Sequence, residues 1–312
     1  MSFVSFVSFV SFVSFVSIMR VRAFAKINLS LRVLGRRADG YHELRTIFQS
    51  IALHDTLILR RARGPFTLDC DDENCPTDSS NLVWRAAEAA WKAAGRRGSP
   101  RGVAIRLTKR IPIAAGLGGG SSDAAAALRA LAKLWRVDAA RLPDLAASLG
   151  ADVPYFLEGG TVLGLERGDV LFPLLDRPHE WVTLIVPPFR VSTKDAYAWW
   201  DADRKNRVGA DLRVGRGADT SVGPYSDNRN DLERPVAKRH PEIARLVGAL
   251  RGAGASQAAM TGSGSAVFGL FDGRRAAMRA GDVLARRAAR TRSRIIVTRT
   301  VTRRAYRRLV AK

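Results

Sequence analysis

Residues 112 to 128 read PIAAGLGGGSSDAAAAL, and no other stretch restricts the fold as much. Four glycines, Gly116, Gly118, Gly119 and Gly120, precede Ser121, Ser122, Asp123 and an alanine run. Glycine lets a backbone take positive φ and approach a ligand closely, and the unpaired N–H groups of a following helix end attract anions. Upstream, GVAIRLTKRIP reads as a strand; downstream, Asp123 to Trp135 holds strong helix formers and no breaker. The local order is therefore strand, glycine loop, helix, with the helix N-terminus expected near Ser121 to Asp123 and a phosphate expected on the loop. It is neither a P-loop, since no Gly-Lys-Ser/Thr follows, nor a G-x-G-x-x-G opening a βαβ unit. A plain strand-to-helix turn is the alternative reading.

The flanking chain is mixed. Val21 to Leu31 suits a half-buried strand, a turn is expected at Asp39-Gly40, and TIFQSIALHDTLILR reads as one or two further strands. Asn81 to Ala94 has helical spacing closed by Gly95, and Ala140 to Leu149 is a second helix ended by Gly150. After short strands and turns, the pattern restarts near Arg177-Pro178 with the buried strand WVTLIVPP. Residues 203 to 229 are polar and aperiodic and read as a loop or mobile flap. PEIARLVGALRGAGA is a helix, QAAMTGSGSAVFGLF a glycine turn and strand, and GRRAAMRAGDVLARRAAR a basic helix. This order indicates α+β layers and not a strict βαβ repeat.

A chain of 312 residues is long enough for two domains. We expect residues 1–18 outside the fold, an N-terminal domain over 19–178 and a C-terminal domain over 179–312. Ser-Phe-Val repeats from Ser2 to Val16, with neither a basic n-region nor a small-residue cleavage site, so a signal peptide is not indicated; Met19 is an alternative start. Serine at every third position weakens a transmembrane reading, and a cytoplasmic protein without a membrane partner is expected.

Lys and Arg number 51 against 29 Asp and Glu, a net charge of +22, which favours anionic partners. Arginine is spread through the whole chain, so solvated basic faces explain this charge and nucleic acid is not favoured as a partner. The two cysteines, Cys70 and Cys75, have no zinc-ligand spacing around them and read as loop residues in a reducing compartment.

The glycine segment resembles the ATP-binding signature of the GHMP kinases, with Pro112, a Gly-Leu-Gly core and paired serines. AFAKINLSLRVLGRRADGYHELRTIFQSI, LGADVPYF, NDLE and MTGSGSAVFGLF follow the same superfamily in order, and are similar to its branch acting on a cytidine diphosphate sugar alcohol. The resemblance implies an α+β two-domain GHMP fold, with an N-terminal domain like ribosomal protein S5 and a ferredoxin-like C-terminal domain. It implies ATP as co-substrate, Mg²⁺ entering with the nucleotide but no protein metal ligand, and a monomer or homodimer. Pro112, Gly116, Leu117, Gly118, Gly119, Gly120, Ser121 and Ser122 would bind the nucleotide. Asp152 would be the catalytic base and Lys26 the cation beside it, since a carboxylate can take a hydroxyl proton while an ammonium offsets charge on the phosphoryl group. Asn28, two residues from Lys26 and so on the same strand face, would reach the reacting hydroxyl. Tyr41 and His42 would frame the cytidine base, with Gly262 and Ser263 also near substrate. His54, His179 and His240 are read as structural. Another GHMP small-molecule kinase, or a basic nucleic-acid-binding protein, are the competing functions.

Overall fold

A computed structural model describes residues 18–211 and 229–310; the Ser-Phe-Val repeat and most of the polar 203 to 229 stretch lie outside the described residues. The chain begins with a long hairpin. Strand β1 (Ile18–Arg36) pairs antiparallel with β2 (His42–Pro65), so TIFQSIALHDTLILR is one strand and not two. Its turn is held by Arg37 N–H on the Tyr41 carbonyl, by Tyr41 N–H on Asp39 Oδ1, and by Gly40 at φ 85°.

β2 is long enough to serve two partners on its far edge. Its first half pairs with β5 (Thr161–Glu166) and its second half with β4 (Arg101–Thr108). Short β3 (Thr67–Cys70) and β6 (Val170–Pro173) complete a six-stranded sheet. Helices α1 (Leu82–Ala93), α2 (Gly119–Trp135) and α3 (Leu142–Leu149) cover one face, burying Val83, Ala90, Leu128 and Leu131 against Leu57 and Ile105. Asn81 caps α1 by accepting from Val83 N–H, the expected role for Asn before an apolar run. Helix α2 starts at Gly119, two residues earlier than expected, because Gly118 takes the left-handed conformation (φ 71°) and the two glycines after it enter the helix. Cys70 ends β3 and is not in a loop. The short α4 (Tyr155–Glu158) follows a tight turn at Ala151 to Pro154.

The second sheet is antiparallel, in the order β10 (Arg294–Arg299), β7 (Trp181–Val186), β9 (Val267–Phe271), β8 (Gln257–Met260). Helices α5 (Thr193–Asp211), α6 (Glu233–Arg239), α7 (Glu242–Gly252) and α8 (Arg274–Arg290) pack on its outer face. The first residues of the 203 to 229 stretch are thus helical and continue α5, whose polar composition hides the period from a sequence reading.

The two sheets meet through Ile27, Leu29, Ile47 and Ile51 of the first and Val182, Leu184 and Phe268 of the second. Each such side chain stabilises the junction by ~1.5–3 kcal/mol when fully buried. The terminal helix α9 (Arg303–Val310) returns to the first sheet, where Tyr306 packs on Phe24 and donates to the Phe156 carbonyl at 2.7 Å. Among the described residues no helix is long and apolar enough to cross a membrane.

Candidate active site

Where the two sheets meet, a cleft of about 960 Å³ opens beside the glycine loop. Lys26 and Asn28, from the middle of β1, form its floor and are both buried. Lys26 Nζ lies 2.7 Å from Asn28 Oδ1 and 3.6 Å from Asp152 Oδ2, which enters from the turn after α3. Lys26, Asn28 and Asp152 are therefore brought together. The Asn28 amide is committed on both sides: Oδ1 also accepts from Thr261 at 3.3 Å, and Nδ2 donates to Thr46 Oγ1 at 2.8 Å.

The glycine loop forms the cleft wall and makes a second pocket of about 330 Å³ on its other side. Gly116, Gly118 and Ser121 line both pockets; Pro112, Leu117, Gly119 and Gly120 line the smaller one. Ser122 behaves differently. Its N–H donates to the Gly118 carbonyl and its hydroxyl to the Phe24 carbonyl at 2.7 Å, so it fastens the helix start to β1.

Two glycine turns from opposite ends of the chain are stacked backbone to backbone. A Cβ at Gly116 would lie 2.2 Å from the Thr261 carbonyl oxygen, and one at Gly262 would lie 3.0 Å from the Gly116 carbonyl oxygen. Gly116 also has φ 77°, a left-handed conformation that disfavours any Cβ. Gly116→Ala is expected to cost ~1–3 kcal/mol through this clash and to weaken nucleotide binding. Gly120→Ala, where no protein atom lies within 4 Å of the added Cβ, is the control for stability. Denaturant midpoints and nucleotide titration of the two variants check this.

Below the smaller pocket sits a charged cluster that the sequence reading missed. Lys109 Nζ donates to Asp55 Oδ2 at 2.5 Å and to Asp123 Oδ2 at 2.7 Å, and all three side chains are at most 5% exposed. Asp55 Oδ1 also accepts from Arg110 and Ile111 N–H, which ties β2 to the segment between β4 and the glycine loop. Asp123 Oδ1 is buried without a hydrogen-bond partner. Burial raises the Asp123 carboxyl to about 8, opposed by the Lys109 charge and assisted by that of Asp55. Cys75 lines the same pocket; burial and the neighbouring Cys70 thiol push its thiol up to about 12.

At the other end of the large cleft, His42 Nε2 lies 3.0 Å from Asp201 Oδ1, and the imidazole stacks on Tyr197 with centroids 4.6 Å apart. Tyr197 and Asp201 are four apart on α5 and so share a face, a signal the DAYAWWDAD segment carries. Burial, with the Asp152 charge second, raises the Tyr197 phenol. Tyr41 is exposed at the rim under the Arg167 guanidinium, 5.2 Å from its ring centroid. Gly262 and Ser263 line the cleft opposite Lys26, with Ser263 Oγ 3.0 Å from Thr193 Oγ1. The other three histidines have partners elsewhere: His54 on the Ala52 carbonyl, His179 on that of Thr300, His240 stacked on Phe189.

Residues 81–160 match the family described as the GHMP kinases N terminal domain, and residues 216–289 the GHMP kinases C terminal. A 4-diphosphocytidyl-2-C-methyl-D-erythritol kinase of Solibacter usitatus is 44% identical over 85% of this chain and 84% of its own length. A protein of the same name from Pelotomaculum thermopropionicum is 43% identical over 91% and 98%. A solved 4-(cytidine 5'-diphospho)-2C-methyl-D-erythritol kinase superposes with TM-score 0.72 at 37% identity, covering 90% of this chain and 99% of that one. An L. major mevalonate kinase, at 15% identity and TM-score 0.65, shares the fold. The chain belongs to the 4-diphosphocytidyl-2-C-methyl-D-erythritol kinase family of the GHMP kinases.

Proposed function

We propose that this chain transfers the γ-phosphoryl group of ATP to the 2-hydroxyl of 4-diphosphocytidyl-2-C-methyl-D-erythritol, giving the 2-phosphate and ADP, a step in non-mevalonate isoprenoid precursor biosynthesis. The observation that carries the reading is the Lys26–Asp152 pair, 3.6 Å apart and bordering the same cleft as Gly116, Gly118 and Ser121. The triphosphate lies on the loop, with its nucleoside in the smaller pocket beside Pro112 and Gly119. The sugar-alcohol hydroxyl faces Asp152, which takes its proton as the oxygen attacks the γ-phosphorus and the bond to the β-phosphate oxygen breaks. Lys26 puts positive charge where the transferring group becomes more anionic, and Asn28 holds that ammonium in place. Holding the two reactants in line contributes up to about 7–11 kcal/mol of the lowered barrier.

Mg²⁺ would neutralise phosphate charge when bound with the nucleotide. Among the described residues no three metal-ligating side chains cluster. The cytosine ring belongs beside Tyr41, His42 and Tyr197, the aromatic end of the cleft. His42→Ala is expected to raise KM for the cytidine substrate about tenfold, the equivalent of one lost contact of ~1.4 kcal/mol, and to leave KM for ATP unchanged. A coupled ADP-release assay comparing the cytidine substrate with homoserine and mevalonate tests the whole reading. Turnover with either of the latter at the rate of the former would sink it.

A further inference from the structure

A third pocket, of about 310 Å³, lies outside both of the sites above, on the opposite side of the glycine loop's helix. It runs between the start of β1, the middle of α2 and the end of α9, and the Phe156 ring separates it from Gly118. Arg20 and Arg22 from β1 and Arg129 and Lys133 from α2 all line it, and among the described residues no carboxylate does. The spacing explains the convergence: two apart on the strand, four apart on the helix.

The lining sets this pocket apart from the two sites above, where carboxylates accompany the cations: Asp152 and Asp201 in the large cleft, Asp123 in the smaller pocket. Half-buried Arg37 pairs with Asp39, Glu43 and Glu166, and Arg177 with Glu180. Arg20, Arg22, Arg129 and Lys133 form no ion pair among the described residues. Arg129 instead donates to the carbonyls of Phe156 and Leu157, which fixes its guanidinium at the pocket wall. Four cations held around one concavity repel one another unless an anion joins them.

The rest of the described lining, Val21, Ala126, Ala130 and Phe156 among it, is apolar except for Tyr306, whose hydroxyl donates to the Phe156 carbonyl. The volume corresponds to about ten water-sized groups, room for a diphosphate head and a short hydrocarbon chain. We propose that this pocket is a second ligand site, distinct from the kinase cleft, for a small amphiphilic phosphate: a diphosphate ester whose head meets the four cations and whose short apolar tail lies against Val21, Ala130 and Phe156.

The test is calorimetric titration of the full-length protein, with the glycine loop saturated by a non-hydrolysable ATP analogue and the large cleft by CDP. The probes are hexyl diphosphate, inorganic diphosphate and hexanol. One equivalent of hexyl diphosphate is expected to bind, at least tenfold more tightly than inorganic diphosphate, with no heat from hexanol. Arg22→Gln combined with Lys133→Gln, neither of them in the catalytic machinery, is expected to weaken that binding at least tenfold with kcat/KM unchanged; Lys133→Arg should retain it. Unaltered affinity in the double variant, or equal affinity for the two diphosphates, overturns the proposal. So does binding of phosphatidic acid vesicles through the same two residues when free hexyl diphosphate does not bind, since the source would then be a lipid headgroup.

Discussion

Asp152→Asn is expected to lower kcat by about 10²–10⁴-fold, the range a positioned general base contributes, while nucleotide affinity stays at the wild-type value. The amide keeps the size of the carboxylate and loses the ability to take the substrate proton. Its side chain is about one-third exposed in the cleft and its one ion pair among the described residues is with Lys26 at 3.6 Å, so the fold does not depend on the charge. Steady-state kinetics with the cytidine substrate, together with titration of an ATP analogue, separate the two effects. Wild-type kcat in this variant would remove Asp152 from proton transfer and with it the reading of the Lys26 pair as the reacting centre.

The second large effect is on stability. Lys109→Met is expected to cost ~3–5 kcal/mol, because it leaves the buried Asp55 carboxylate without its cation and takes a hydrogen-bond donor from Asp123, whose carboxyl burial already raises. The side chain is nearly the same length, so the loss is electrostatic and not a cavity. Lys109→Met together with Asp55→Asn and Asp123→Asn should recover part of that loss, since replacing a whole buried ionic group is far less costly than removing one partner. Urea unfolding of the single and triple variants decides it. Equal stability of the single variant and the wild type would mean that the cluster carries no net charge to compensate. Because Asp55 also accepts from Arg110 and Ile111 N–H, the single variant should also disturb the segment leading into Pro112.

Several features were readable from residue chemistry because they are local. Glycine-rich backbone ahead of an alanine run specifies a loop entering a helix, and the structure has α2 beginning inside that run. Alternation in β1 puts Lys26 and Asn28 on one face, and they are in contact. Asn81 caps α1 as its position implies. The misses were also physical. TIFQSIALHDTLILR was ambiguous because β2 changes partner midway, from β5 to β4, and a strand that serves two neighbours has no single burial pattern. The start of the 203 to 229 stretch hid its helix because α5 carries little apolar periodicity there. Tyr197 and Asp201 went unremarked because a helical face has no function until something sits on it, and His42 arrives from a distant turn.

By itself the sequence determined the glycine loop ahead of its helix, the strand carrying Lys26 and Asn28, and the family, since each depends on short-range backbone freedom or on residues in order. The family resemblance implied that Lys26 lies beside Asp152, and the structure has them 3.6 Å apart; only the tertiary structure decided that Gly116 lies under the Thr261 carbonyl and that Lys109 joins two buried aspartates. Those contacts arise where two sheets bury their inner faces together, and burial turns a carboxylate or an ammonium from a solvated surface group into one that must find its partner.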